Sequence, residues 1–220
     1  MLNESSSHHS GADGYDSLYE QIAVDLTRDG YSVLSAAMPA EIVSPLAEQA
    51  RARAADFAAA KIGRGADVAQ NDTVRRDKIA WIDGDTPAEQ AWIDWTEGLR
   101  RYLNRRLMLG LFSYESHFAH YQPGDYYRKH VDAFKGQSNR ILSTVLYLNN
   151  DWRSEEGGEL AIYAEDDSPL TRVSPTLGTL VVFLSEEFPH EVLPAQRDRY
   201  SIAGWFRLNQ SVAGRIDPQR

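Results

Sequence analysis

The chain has 220 residues, 42% of them hydrophobic and 25% charged, which suits one folded domain with a sizeable core and argues against disorder. Its 23 basic and 32 acidic residues leave a net charge of -9, which repels a phosphate backbone and disfavours nucleic acid as a partner. There is no cysteine, which excludes disulfides, thiolate nucleophiles and sulfur-built zinc sites and leaves His, Asp and Glu as the strong side-chain metal ligands.

Residues 1–14, MLNESSSHHSGADG, offer nothing to bury and read as a solvated tail, His8 and His9 included. This opening lacks an apolar stretch, and no run in the chain approaches the ~18 apolar residues of a membrane span, so the expectation is a cytoplasmic protein without a membrane partner. From Tyr15 the apolar positions Leu18, Ile22, Ala23 and Leu26 recur at helical spacing up to Gly30, and YSVL then predicts a short strand. Alanine-rich PAEIVSPLAEQARARAADFAAA predicts a second helix over about 40–60, with a proline near its first turn. KIGRGADVAQNDT (61–73) reads as a loop, and VRRDKIAWIDGD as a strand and hairpin. A third helix follows over about 87–106, with Trp92, Trp95, Leu99, Leu103 and Leu107 on one face and Arg100, Arg101, Arg105 and Arg106 on its solvated side.

Beyond Leu111 strand follows strand: FSYESHFAHYQ, ILSTVLYLN, GELAIY, TLVVFL and SIAGWFRL, with no helix between them. This order predicts an α+β fold with a closed or sandwiched antiparallel core, a β-barrel or jelly roll. The division expected is one domain over 15–210, with helical support over 15–110, the β core over 111–208, and a C-terminal tail at 211–220.

Within YYRKHVDAF (126–134), His130 and Asp132 stand two apart, and such a pair on a strand projects from one face. HxD is a common pair by itself. His190 follows 60 residues later, between TLVVFL and a proline-bounded turn, and Arg199 comes nine residues after that at the start of a strand. Two imidazoles and one carboxylate make the facial set of non-haem Fe(II) oxygenases, which leaves cis positions for a chelating co-substrate and dioxygen. When the co-substrate is 2-oxoglutarate, its far carboxylate needs a fixed cation, and a planar guanidinium grips it with two hydrogen bonds. Arg199 is the candidate.

Tyr121, Gly124, Tyr127, His130 and Asp132 spell YxxGxxYxxHxD, and this pattern resembles that of the 2-oxoglutarate- and Fe(II)-dependent prolyl 4-hydroxylase superfamily. RRDKIAWIDG, YLNNDW, GGELAIY and PHEVLPAQRDRYSIAGWF are similar to segments of its oxygen-sensing prolyl hydroxylase domain branch, over roughly residues 70–208. The resemblance implies a double-stranded β-helix of jelly-roll, cupin-like form. It implies His130, Asp132 and His190 as Fe(II) ligands, Arg199 and the Tyr147 hydroxyl on the far carboxylate, and Tyr121 reaching the co-substrate from the wall. Leu160, Val145 and Trp205 would enclose it. Leu160 and Val145 read equally well as plain core, whereas for Tyr147 a core tyrosine with a satisfied hydroxyl is the lesser alternative. The segment VRRDKIAWI matches a loop that folds over the substrate peptide in that branch, with Arg75 and Asp77 helping to order it and Trp81 beside them. Tyr127 and Arg140 would contact the peptide at the rim.

The activity implied is hydroxylation of a prolyl residue at C4, coupled to conversion of 2-oxoglutarate and O2 to succinate and CO2, with ascorbate as a candidate reductant. The implied partner is a prolyl-containing cytosolic protein or peptide, with translation elongation factor Tu the leading candidate, and the enzyme is expected to be a monomer. Two departures stand out: Ala203 replaces a hydroxyl residue of the animal enzymes, and His117 stands where they have an apolar residue, on the strand face it shares with Ala119 and Tyr121. Hydroxylation of a free amino acid or small metabolite, and a non-catalytic metal- and 2-oxoglutarate-sensing module, remain the alternative readings.

Overall fold

The computed structural model of the chain describes residues 14–53, 56–60, 74–133 and 139–209. The N-terminal tail up to residue 13, the loop at 61–73 and the C-terminal tail at 211–220 lie outside the described residues.

Helix α1 (Asp16–Asp29) buries Tyr19, Ile22, Ala23 and Leu26 and ends at Gly30, whose φ of 77° suits a left-handed cap. Helix α2 (Ala40–Ala52) is shorter than the alanine content predicts. Tertiary contacts override propensity there: Arg53 reaches Glu89 at 2.7 Å, and Ala58–Ala59 (β2) pairs with Ile79 and Lys78. Helix α3 (Pro87–Leu107) starts on Thr86, whose hydroxyl accepts the Glu89 N–H at 3.2 Å, with proline at the position that has no use for a donor. The arginines of α3 are paired: Arg100 and Arg101 with Glu97, and Arg106 with Glu20, while Arg105 lies over the Tyr102 ring. Among the described residues no helix is long and apolar enough to cross a membrane.

The strands are β1 (Tyr31–Leu34), β2, β3 (Lys78–Trp81), β4 (Ser113–Tyr121), β5 (Tyr127–His130), β6 (Arg140–Tyr147), β7 (Leu160–Tyr163), β8 (Pro169–Val173), β9 (Leu180–Leu184), β10 (His190–Val192) and β11 (Arg199–Arg207). They form a seven-stranded antiparallel sheet, β1-β9-β6-β11-β4-β3-β2, and a four-stranded one, β5-β10-β7-β8, the two halves of a jelly roll. β8 and β10 are not evident in the sequence. The hairpin expected at 74–85 is absent: β3 lies between β2 and β4, and the chain after it enters α3.

Period-two alternation divides the large sheet into two faces. Phe118, Leu142, Leu146, Leu180, Val182, Ile202 and Phe206 pack with the helices. Ala119, Tyr121, Tyr147, Val181 and Phe183 pack with Leu160, Ile162, Val173 and Val192 of the small sheet. Each fully buried aliphatic or aromatic side chain contributes about 1.5–3 kcal/mol. The helical layer therefore braces one face, and the other packs against the small sheet.

Candidate metal centre and its pocket

His130 ends β5 and His190 begins β10, directly opposite each other in the small sheet. Asp132 is not on the strand; it sits in the bend that follows, so strand parity does not place it. Its carboxylate still meets both imidazoles, with Oδ1 3.5 Å from His130 Nε2 and Oδ2 3.7 Å from His190 Nε2. One ligand atom from each of the three residues lies within 4.8 Å of the others, a spacing suited to one ion.

The surrounding bonds orient all three groups. His130 Nδ1 is 2.8 Å from the Arg128 carbonyl and His190 Nδ1 is 2.9 Å from the Phe188 carbonyl, which assigns the proton to Nδ1 and leaves each Nε2 lone pair for a metal. Ser143 Oγ donates to Asp132 Oδ2 at 2.6 Å and is itself 2.9 Å from Ser185 Oγ. Burial opposes the charged carboxylate of Asp132, yet His190, His130 and Ser143 together hold it well below the usual range. Burial pushes the His190 imidazole down to about 4, against the pull of Asp132, so it is neutral at neutral pH and able to ligate.

Facing residues on neighbouring strands share a side of the sheet. On the inner side β11 pairs Arg199 with Tyr121, Ser201 with Ala119 and Tyr147, Ala203 with His117 and Val145, and Trp205 with Glu115 and Ser143. The Asp132 anchor, Ser143, thus lies level with Trp205, and Arg199 stands six residues along the same strand. Arg199 is 1% exposed, its Nε donating to the Gly158 carbonyl at 2.8 Å and an Nη to Ser201 Oγ at 3.3 Å. The Tyr121 and Tyr147 rings each lie 5.0 Å from its guanidinium carbon. Among the described residues no carboxylate pairs with this cation, and the buried Tyr147 hydroxyl has no hydrogen-bond partner. Burial pushes that phenol up to about 12, with Arg199 pulling the other way, so it remains a neutral donor. A buried charge without its counterion costs several kcal/mol, and a ligand carboxylate would satisfy both groups.

A family model described as the 2OG-Fe(II) oxygenase superfamily matches residues 116–207. Among solved structures, a Pseudomonas putida prolyl-4-hydroxylase is 40% identical with a TM-score of 0.78, over 86% of this chain and 98% of that one. The chain belongs to the 2-oxoglutarate/Fe(II)-dependent prolyl hydroxylase superfamily. A Trichoplax adhaerens prolyl hydroxylase, solved with a hypoxia-inducible factor oxygen degradation domain peptide fragment, shares the fold at 24% identity, with a TM-score of 0.78 over 92% of this chain and 94% of that one. Human Egl nine homolog 1 is 32% identical over 143 residues, 60% of this chain and 33% of that protein, so the match spans about a third of this curated relative.

The donor set suits the metal of this superfamily, and the unpartnered Tyr147 hydroxyl beside Arg199 suits its co-substrate. Leu160 is buried in the core between the sheets, and Val145 is half-buried against it, facing Ala203. Trp205 is buried, its Nε1 without a partner among the described residues and the Arg140 guanidinium 3.6 Å above its ring. Arg140 also pairs with Glu115, as does Arg207. Arg75 forks onto Asp77 and lies over the Tyr127 ring, which stacks on His130. Trp81 is 39% exposed, edge-on to His117, which is itself buried between Trp81 and Trp205. His120 lies on the helix side, 2.7 Å from Asp198 and stacked on Tyr200.

Sequence reasoning missed Ser143, Ser185 and Gly158. Parity could have flagged Ser143, because it shares a face with Val145 and Tyr147. Gly158 acts through its carbonyl, which leaves no side-chain signal.

Proposed function

We propose that this chain is a prolyl 4-hydroxylase that uses Fe(II), O2 and 2-oxoglutarate to hydroxylate a prolyl residue of a protein or peptide. The observation that carries the reading is the buried Arg199 with the unpartnered Tyr147 hydroxyl, on the inner face of the large sheet, in a fold that also brings His130, Asp132 and His190 together. In this reading His130, Asp132 and His190 hold Fe(II), and Arg199 and Tyr147 grip the far carboxylate of 2-oxoglutarate. Tyr121 lines the wall beside them, and Leu160, Val145 and Trp205 keep water away, which strengthens the ionic grip. Bound there, Fe(II) with 2-oxoglutarate and dioxygen would supply the oxidant that places a hydroxyl on C4 of proline and releases succinate and CO2. Arg75, Trp81, Tyr127 and Arg140 are the proposed peptide contacts, and Asp77, whose side chain is fully buried, would act on the peptide only by holding Arg75. Their task is positioning, because hydroxylation at one carbon requires a fixed approach.

The finer parts of the proposal are a cytoplasmic, monomeric enzyme, ascorbate as accessory reductant, and elongation factor Tu as substrate. The test is incubation of the purified chain with Fe(II), 2-oxoglutarate, ascorbate and air, together with elongation factor Tu, proline-containing peptides cut from it, or free proline. Gain of one oxygen on a prolyl residue, matched by succinate, supports the proposal. Succinate formation with free proline but no peptide transfers the reading to a small-molecule hydroxylase. Tight 2-oxoglutarate binding without turnover of any of them leaves a sensing module.

A further inference from the structure

Residues 74–77 form a strap between the two sheets. Arg128 N–H donates to the Val74 carbonyl at 2.9 Å, Arg76 N–H donates to the Tyr126 carbonyl at 3.1 Å, and Arg75 bridges to Tyr127, so the strap extends the small sheet beyond β5. Its continuation, β3, is paired with β4 in the large sheet. Arg75 lies at the crossing, with hydrogen bonds of 2.7 and 2.5 Å to a fully buried Asp77 side chain. Its guanidinium carbon is 4.5 Å from the centroid of the Tyr127 ring. The same ring stacks on the His130 imidazole, with 3.6 Å between centroids and 17° between planes.

Two routes therefore lead from the strap to one metal-ligand candidate. One is the column Asp77, Arg75, Tyr127, His130. The other runs through Arg128, whose N–H is tied to Val74 and whose carbonyl accepts the His130 Nδ1 proton. A charge-assisted fork shielded from water resists reorientation, and groups that fix the orientation of a ligating imidazole govern metal retention.

We propose that Arg75 is a positioning residue for the metal centre: acting through the Tyr127 ring, the docked strap fixes the His130 imidazole and sets how tightly the site holds its metal. The proposal rests on reading the His130, Asp132, His190 cluster as a metal centre. Coupling of this kind is reciprocal, so metal must also tighten the strap.

The test is titration of the metal-free chain with Co(II), followed by its visible absorption, with no co-substrate or peptide present. Arg75→Gln and Tyr127→Leu each weaken Co(II) binding about tenfold, Tyr127→Phe changes it less than about twofold, and the double variant Arg75→Gln/Tyr127→Leu is no weaker than Tyr127→Leu alone. The unsubstituted chain gives a further arm: Co(II) raises hydrogen-exchange protection of the Arg76 and Arg128 amides, and Tyr127→Leu removes that gain. Wild-type affinity in Arg75→Gln, additive losses in the double variant, or strap amides indifferent to Co(II) would each overturn the proposal. A wild-type chain that takes up no Co(II) overturns it together with the metal-centre reading. Because no arm measures turnover, these shifts in a chain that hydroxylates no proline would retain the strap's role and remove only the hydroxylase.

Discussion

His190 and His130 face each other across the β10–β5 pair, and the Asp132 carboxylate approaches both Nε2 atoms from the bend after β5. The backbone pairing presets two of the three donors, and Ser143 holds the third from the opposite sheet. His190→Ala is expected to abolish stoichiometric Co(II) or Fe(II) binding. Ser143→Ala touches no ligand nitrogen and is expected to weaken metal binding about tenfold, because the Asp132 carboxylate loses its anchor. Metal titration beside far-UV circular dichroism checks both, and an unchanged affinity in Ser143→Ala would sink the anchoring argument. A chelator should also lower the Tm of the metal-loaded wild type, because a ligand bound to the native state stabilises it by mass action.

Arg199 and Tyr147 form a donor pair with no carboxylate partner among the described residues. Hydrogen bonds to charged groups are worth about 1.5–3 kcal/mol each, or roughly 10- to 100-fold in affinity. Arg199→Leu should lose more than that range, because the bidentate grip and the charge go together, and Tyr147→Phe should lose about tenfold. Titration of the Fe(II)-loaded protein with 2-oxoglutarate under nitrogen measures both. A Tyr147→Phe protein that binds 2-oxoglutarate like wild type would return this tyrosine to the core.

Gly158 has a φ of +74°, and a Cβ there would meet the Ala195 Cβ at 2.8 Å, Trp152 at 3.1 Å and the Arg199 Cδ at 3.3 Å. Its carbonyl also accepts the Arg199 Nε proton. Gly158→Ala is therefore expected to cost about 1–3 kcal/mol of stability from backbone strain. It should also weaken 2-oxoglutarate binding by displacing Arg199, although no atom of Gly158 need touch the ligand. Paired denaturant unfolding and 2-oxoglutarate titration separate the two effects. A loss of stability with unaltered affinity would mean that the arginine tolerates the added methyl.

The long strands were legible because their alternation is strict: Ala119 and Tyr121, Val145 and Tyr147, and Ala203 and Trp205 each fall on one parity. The co-substrate candidates on them came from the family resemblance and not from parity, the register shows only that they share one face, and the YxxGxxYxxHxD pattern marked His130 and Asp132. β8 and β10 were not legible. Three to five residues such as HEV or PLTRV carry too little pattern, and β10 exists because β5 and β7 pair with it on either side. Asp132 illustrates a right pairing on a wrong local premise: it meets His130 because the chain bends after the strand. The early end of α2 was hidden for a related reason, since ARAADFAAA favours a helix locally while Glu89 and β3 reward another path.

His117 gives a pH dependence that is separable from metal binding. It is 3% exposed between Trp81 and Trp205, and burial pushes its imidazole down to about 4, assisted by Arg75 and Arg140 and opposed by Asp77 and the Phe118 carbonyl. An unfolded histidine takes up its proton near its ordinary value of 6.5, whereas the folded one remains neutral until about 4. Between those values the unfolded state holds more protons, so stability falls as pH falls through this window and the loss is complete below it. At 1.36 kcal/mol per unit the full effect is about 3 kcal/mol. His117→Leu should leave stability near pH 7 little changed while flattening the acid slope, and His190 keeps its own share of that slope in the metal-free protein. Urea unfolding of both proteins at about pH 7 and about pH 5 measures the difference. Equal slopes would show that His117 takes up its proton in the folded state at an ordinary pH, through water reaching the space beside Ala203, and that the pocket wall there is wet.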